Sequence, residues 1–358
     1  MTRINKDTLK GYLLEEVLAY LIRTTGYKLI VDPNWDEREL GWERNGLVVK
    51  GRGAVHQVDV LGELEWIPAF TYPLRLIIEA KFRKKPTGID IVRNAVGVLL
   101  DVAQNNSPTR EQKTFFQKYQ YAYAVVSTSG FSQPAMNMAI AHQISLIDLS
   151  ISEYDSLKSS IVQSAENVLE SISDYSVKRG ELISNIRYAL RSELKTLPDG
   201  EFEHRLPNNF DSYLSERLQP LVDTAKEHNE LFVAMANGPF MLILKADDPQ
   251  RFLNYANVNP SHRVSINWSS ETDKEIWVIR PSENGNAYRL SFRLPKKLSK
   301  WVFDVHKERK KRVKRAKQVK QKYLSNITIY RHVDGKDYLF RLKFDLESTQ
   351  KHASGKYR

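Results

Sequence analysis

The sequence contains no cysteine. That absence excludes disulfides, thiolate zinc ribbons, iron–sulfur clusters and thiol catalysis. Any bound metal must be held by oxygen or imidazole. Long hydrophobic runs are also missing. Runs such as residues 122–126 and 98–100 fall far short of the roughly 20 residues that span a bilayer. The first ten residues are polar and carry no apolar core of a secretory signal. These absences predict a cytoplasmic protein with no membrane partner. No two of the eight histidines have close ligand spacing. No Gly-Lys-Ser/Thr follows Gly51-x-Gly53, so that pair reads as a turn before a strand, not a phosphate loop. No internal repeat is found.

What is present is a basic, foldable chain. It has 358 residues, 41% hydrophobic and 27% charged, with a formal charge of +11. At roughly 100–200 residues per domain, that length predicts two or three domains. The charge is concentrated. Residues 1–150 carry 18 Lys/Arg and 16 Asp/Glu, whereas residues 307–322 (KERKKRVKRAKQVKQK) carry 10 Lys/Arg and one Glu. The remainder is neutral. The basicity therefore belongs to one segment, and a segment of that density suits a polyanion.

Hydrophobic periodicity divides the first 150 residues into elements in the order α, β, β, β, α, β, α, β. A helix is expected to residue 23, and short strands at 27–31 and 46–50. Residues 33–45 read as a loop. Two alternating strands follow at 56–64 (HQVDVLGEL) and 74–82 (LRLIIEAKF). A helix fits 89–103, a buried strand 121–127, a Ser132-capped helix 132–142, and a last strand 144–149. This order predicts an α/β (α+β) domain over 1–150, with a mixed sheet flanked by helices. Residues 151–200 read as a helical connector. Residues 201–358 read as an α+β domain. They hold a helix at 210–229, five strand-like runs, a basic helix at 297–323 and a hairpin around Asp334-Gly335. In the basic helix Val302, Val305, Val313, Ala316 and Tyr323 share a face, interrupted by Arg309, which predicts one docked side and one free basic side. The tail 348–358 is expected to fray.

The two long strands carry an unusual face. Along 74–82, Leu76, Ile78, Ala80 and Phe82 form a core face, while Ile77, Glu79 and Lys81 share the other. Along 56–64, Gln57 and Asp59 share a face. Pairing of the two strands as a hairpin would bring Asp59 near Glu79, with Lys81 beside them. Two close carboxylates are costly without a cation between them. Carboxylate oxygens, with a strand carbonyl such as that of Ala80, suit Mg²⁺, for which Mn²⁺ can substitute. Lys81 would orient a water in line with a phosphate, and the whole would be a phosphodiester hydrolysis site. A structural ion pair on an exposed strand is the plainer reading of an E-x-K triplet. His56 alternates to the opposite face and reads as a structural hydrogen-bonder.

Four segments add a resemblance. They are GYLLEEVLAYLIRTTGY (11–27), GAVHQVDVLG (53–62), IIEAKF (77–82) and VVSTSGFSQPAMNMAIAHQISLIDL (125–149). Together they resemble the PD-(D/E)xK nuclease superfamily, and within it the Mrr-like restriction endonucleases. The resemblance covers about residues 8–150. It implies a restriction-endonuclease-like core. It implies Asp59 and Glu79 as metal ligands with the Ala80 carbonyl, and Lys81 at the attacking water. Glu15 corresponds to the family's helix carboxylate, a further ligand, with Glu16 the competing position. Gln57 is a further candidate at the site. The implied activity is Mg²⁺-dependent cleavage of DNA in restriction or antiviral defence.

Lys84, Lys85 and Arg93 flank this site and are candidates for phosphate contacts. Arg309, Lys310, Lys311, Arg312, Lys314, Arg315 and Lys317 could run along a duplex backbone, which positions DNA without reading its sequence. Cutting both strands needs two sites, so a homodimer is expected, and a partner protein of a defence system is a further expectation. Two alternatives remain open: a nucleic-acid-binding regulator that does not cleave, and a nuclease of repair or RNA substrates.

Overall fold

The structure, a computed structural model, describes residues 4–23, 25–43, 46–65, 71–105, 117–151, 154–171, 179–197, 208–227, 231–236, 241–269, 276–294, 299, 302, 309–333 and 336–345. It is a mixed α+β protein in two compact units, Met1–Asn229 and Glu230–Arg358. No described helix is long and apolar enough to cross a membrane.

In the first unit α1 (Lys6–Arg23) buries Leu9, Leu13, Leu14, Val17, Leu18 and Ile22 at helical spacing. The chain continues through β1 (Tyr27–Leu29), β2 (Leu40–Glu43), β3 (Gly46–Lys50), β4 (Val55–Gln57), β5 (Val60–Leu64), β6 (Leu74–Lys81), α2 (Ile89–Ala103), β7 (Gln120–Ser127), α3 (Gln133–His142) and β8 (Ser145–Asp148). Among the described residues five strands form a sheet in the order β1-β5-β6-β7-β8. The pairs β1–β5 and β5–β6 are antiparallel, and β6–β7 and β7–β8 are parallel. The expected mixed sheet is therefore present. Helix α1 packs on β5 and β6. Val92, Ala95, Val98 and Val102 of α2 share a core with Ile77, Tyr123 and Val125 of the sheet and with Ala135 and Ala139 of α3.

Two local expectations change. Residues 33–45 are not only loop, because β2 lies within them and pairs with β3 in a separate sheet, β2-β3-β4. The single strand expected over 56–64 is two strands. β4 pairs with β3, His56 opposite Val49, whereas β5 pairs with β6, Val60 opposite Ile78. The chain changes sheets at Val58 and Asp59. Part of the reason is a clasp on the other side of β4. Asp101, near the end of α2, accepts from Gly53 N–H at 2.8 Å and Ala54 N–H at 3.1 Å, and its Oδ2 lies 2.7 Å from His56 Nε2. These bonds hold the Asp101 carboxyl below its ordinary range, the His56 bond first. His56 is thus the structural hydrogen-bonder expected.

The loop after β7 braces the end of β6. Thr128 N–H donates to the Lys81 carbonyl at 3.1 Å, and Arg83 N–H donates to Thr128 Oγ1 at 3.1 Å. Ser127 Oγ accepts from Thr87 Oγ1 at 2.8 Å and donates to the Gly130 carbonyl at 2.9 Å. Gly130 sits at φ +75°, and a Cβ there would lie 3.2 Å from Asp148 Oδ2 and Ser150 Oγ. Gly130→Ala is expected to cost about 1–2 kcal/mol, the penalty of a left-handed residue with a Cβ. Urea unfolding of the variant measures it, and an unchanged midpoint would show that the loop adapts.

The stretch expected as a connector is two helices, α4 (Asp155–Ser171) and α5 (Arg179–Glu193), followed by α6 (Asn208–Glu227). α4 and α5 pack on α1, and α6 packs on both. Leu157, Ile161, Ala165, Val168, Ile186 and Leu190 are buried there. The expected boundary at 150 therefore falls inside one compact unit, whose limit is at Asn229. Its cause is the apolar face of α1 turned away from the sheet, which needs cover.

The second unit contains β9 (Leu231–Met235), β10 (Met241–Ala246), α7 (Pro249–Val258), β11 (Ser261–Ser269), β12 (Ile276–Pro281), β13 (Leu290–Phe292), α8 (Arg309–Tyr323), β14 (Asn326–Val333) and β15 (Lys336–Phe344). Seven described strands close a barrel in the order β10-β13-β12-β11-β15-β14-β9. β14 and β15 pair antiparallel around the expected Asp-Gly position. Helix α7 is not among the sequence-based elements, although Asp248 caps it, accepting from Arg251 N–H at 2.9 Å. The basic helix docks through Ala316, Val319 and Lys320, with Tyr323 half-buried. Val313, expected on the docked face, is 53% exposed. Val302, expected on the same face, is buried in the core of this unit, and within α8 the buried positions among the described residues are Ala316, Val319 and Lys320. Val305, the residues 303–308 and the tail 346–358 lie outside the described residues.

Candidate active site

Asp59 follows the point where the chain leaves one sheet for the other, next to the C-terminal end of β6. Its Oδ2 accepts from the Ala80 N–H at 2.7 Å. In an extended strand a residue's N–H and C=O face the same edge, so the Ala80 carbonyl faces the Asp59 side of β6. Glu79 and Lys81 alternate on one face. Lys81 Nζ is in direct contact with Glu79 Oε1 and lies 4.0 Å from Asp59 Oδ2. Glu79 Oε2 accepts from the Tyr123 hydroxyl at 3.1 Å. The expected trio of Asp59, Glu79 and Lys81 is therefore brought together, and each side chain is less than one-fifth exposed.

Helix α1 adds two carboxylates, and α5 adds two arginines spaced four residues apart on one helix face. Glu15 Oε2 accepts from Arg187. Glu16, 2% exposed, takes both its oxygens to Arg191, at 2.7 Å and 2.8 Å. Glu15, Glu16, Asp59, Arg187 and Arg191 line one cleft. Of the two competing positions, Glu15 is the one electrostatically tied to Asp59. Glu16 is committed to holding α5.

The charges register this crowding. Burial, and then the Glu79 charge, push the Asp59 carboxyl up to about 6. Burial, and then the Asp59 charge, push Glu15 up to about 8, with Arg187 acting against the rise. The Tyr123 hydroxyl is pushed up by burial and by Glu79. Four carboxylates thus face three cations, Lys81, Arg187 and Arg191. Asp59, Glu79 and the Ala80 carbonyl are the hard oxygen donors here that could hold a small divalent ion. Among the described residues no three Asp, Glu or His side chains close around one point. Glu15 is turned to Arg187.

Gln57 is exposed on β4. Lys84, Lys85 and Arg93 are exposed at the surface of this unit. In the other unit Lys311, Lys314 and Lys317 are exposed, while Arg312 and Arg315 are half-buried. The side chains of Arg309 and Lys310 lie outside the described residues. Sequence reasoning missed Arg187 and Arg191. Their only local signal is a pair of arginines four apart on an amphipathic helix, which is common in solvated helices.

No family model matches this sequence, and no curated protein matches it. Among solved structures, the chain is similar to one described as "Protein of Unknown Function AF1548", at 15% identity, over 60% of this chain and 98% of that one, with a TM-score of 0.33.

Proposed function

We propose that the Met1–Asn229 unit is a DNA endonuclease that hydrolyses phosphodiester bonds with Mg²⁺ or Mn²⁺, a PD-(D/E)xK nuclease of the Mrr-like type acting in restriction or antiviral defence. One observation carries the reading: Asp59, Glu79 and Lys81 converge at the end of β6, half-enclosed, with two carboxylates sharing one ammonium. Asp59, Glu79 and the Ala80 carbonyl would hold the ion. When bound, such an ion acidifies a water and offsets charge on the phosphate. The chain's own groups do the positioning. The Ala80 N–H fixes one Asp59 oxygen, leaving the other for ligation. The Tyr123 hydroxyl fixes Glu79. Lys81 donates to the attacking water and aims its lone pair at phosphorus. The exposed lysines of α8 would neutralise backbone phosphates without reading sequence. A second such site, from another copy of the chain, would serve the second strand.

A second reading, a nucleic-acid-binding regulator that does not cleave, is favoured by one feature: Glu15 faces Arg187 instead of the other carboxylates. A panel of duplex DNA, single-stranded DNA and RNA, incubated with Mg²⁺, Mn²⁺ or EDTA, decides between them. Duplex DNA is expected to be cut with either ion and spared in EDTA. Retention of DNA without cutting under any ion would establish the regulator. Cutting of RNA alone would move the enzyme to another substrate.

A further inference from the structure

Resting on the nuclease reading, we infer that Arg187 of α5 is a further substrate-binding residue of this site, one that grips a non-bridging oxygen of the DNA phosphate. The two arginines of α5 are differently engaged. Arg191 gives two donors to the two oxygens of Glu16, a closed bidentate pair. Arg187 gives one terminal N–H to Glu15. Its Nε is buried, lies 3.5 Å from Glu16 Oε1 and has no hydrogen-bond partner among the described residues. Its guanidinium sits 5.0 Å from the centre of the Tyr12 ring, so it stands beside an aromatic face and not in bulk water. The same side chain lines the cleft with Asp59 and Glu15.

The Arg187 side chain is partly enclosed, at 18% exposed, and its Nε–H, beside the carboxylate cluster, is a donor without an acceptor among the described residues. Glu16 gives both oxygens to Arg191 and stands 3.5 Å from the Arg187 Nε, so Glu15 is the carboxyl that hydrogen-bonds Arg187. Glu15 is also the carboxylate that would turn toward an ion at Asp59. Once it turns, Arg187 is a cation in the cleft with its planar fork of donors free. A phosphate is the anion such a fork fits best, and on this reading one must lie beside Asp59 and Glu79. Lys84 and Lys85, exposed on the loop after β6, have no such enclosure.

The test is binding of a short DNA duplex by full-length Lys81→Ala protein in Ca²⁺, across a range of salt concentrations. Arg187→Gln in that background is expected to weaken binding about tenfold and to lower the salt slope by about one. Arg187→Lys keeps the ion pair with Glu15, so it guards against misfolding. It is expected to keep the slope and lose affinity by about threefold, because the fork is gone. Unchanged affinity and slope in Arg187→Gln overturn the inference. So does an equal loss in both variants with no change of slope, and so does a Lys81→Ala protein that binds no duplex. Cleavage by the unmodified protein is followed in parallel. Arg187-dependent binding without any cleavage would sink the nuclease reading and leave the phosphate contact standing.

Discussion

Asp59→Asn is expected to lower Mg²⁺-dependent cleavage by roughly a thousandfold or more, about 4 kcal/mol of transition-state stabilisation. The substitution keeps an oxygen to accept the Ala80 N–H, 2.7 Å away, and replaces the other oxygen, with the charge, by an NH2 group. It therefore separates chemistry from architecture. The folded protein should become more stable as cleavage is lost. Asp59 titrates near 6 in the fold against 3.8 ordinarily, because burial and the Glu79 charge disfavour its charged form. Between those values the unfolded chain has released its proton and the folded one has kept it. The cost is absent below about pH 4, grows through that window and is fully present above pH 6. Removing the charge should recover on the order of 1–2 kcal/mol at pH 7, allowing for partial solvent access. Lys81→Ala should lower cleavage as severely, but with no gain in stability, since it strips the ammonium that Glu79 and Asp59 share. Single-turnover kinetics and urea unfolding on the same samples provide both readouts. Near-normal cleavage by either variant would refute the assignment of this site.

Lys320→Met is expected to stabilise the barrel unit by about 2 kcal/mol. Lys320 belongs to the basic helix by sequence, yet it is 6% exposed. Its Nζ lies 5.9 Å from the Trp277 ring centre and 5.5 Å from that of Phe344. Burial pushes its ammonium down to about 8. Against an ordinary value of 10.5 that is about 3 kcal/mol of penalty, less about 1 kcal/mol that the aromatic faces return. Methionine keeps the length and packs on aromatic rings without a charge to desolvate. The sign with pH is opposite to that of Asp59. Between about pH 8 and 10.5 the unfolded chain holds a proton that the folded one has released, so stability rises with pH. The penalty is complete below pH 8 and gone above 10.5. The Met variant should lose that rise. A less stable variant, or one with the same rise, would show that the ammonium is solvated. Lys320 also leaves the count of charges that α8 can offer a polyanion.

What could be read in advance was what depends on near neighbours. Strand alternation puts Glu79 and Lys81 on one face whatever the rest of the chain does. A hairpin about residues 67–73 then brings Asp59 alongside, and β5 and β6 do pair there. Two things escaped because they depend on distant partners. The break at Val58 arises because β4 finds β3 and the Asp101 clasp, which lies 45 residues from His56. Arg187 meets Glu15 across 172 residues of sequence. Barrel closure is similar: β11 pairs parallel with β15 and β14 pairs with β9, contacts between strands far apart in the chain. Val313 failed for another reason. Helical periodicity says which residues share a face, not which positions along that face meet a partner: Val302 is buried and Val313 is not.

Helices α4, α5 and α6 set the smallest piece of this chain that can stand alone. The recognisable signature ends near residue 150, and a fragment cut there would keep Asp59, Glu79 and Lys81. It would also carry Glu16 with no arginine and the surface of α1 on which α4 and α5 pack with no cover. Stranding a buried charge costs roughly 3–5 kcal/mol, a large share of a domain's whole stability of about 5–15 kcal/mol. The stretch that bears the proposed site is therefore shorter than the stretch that can fold.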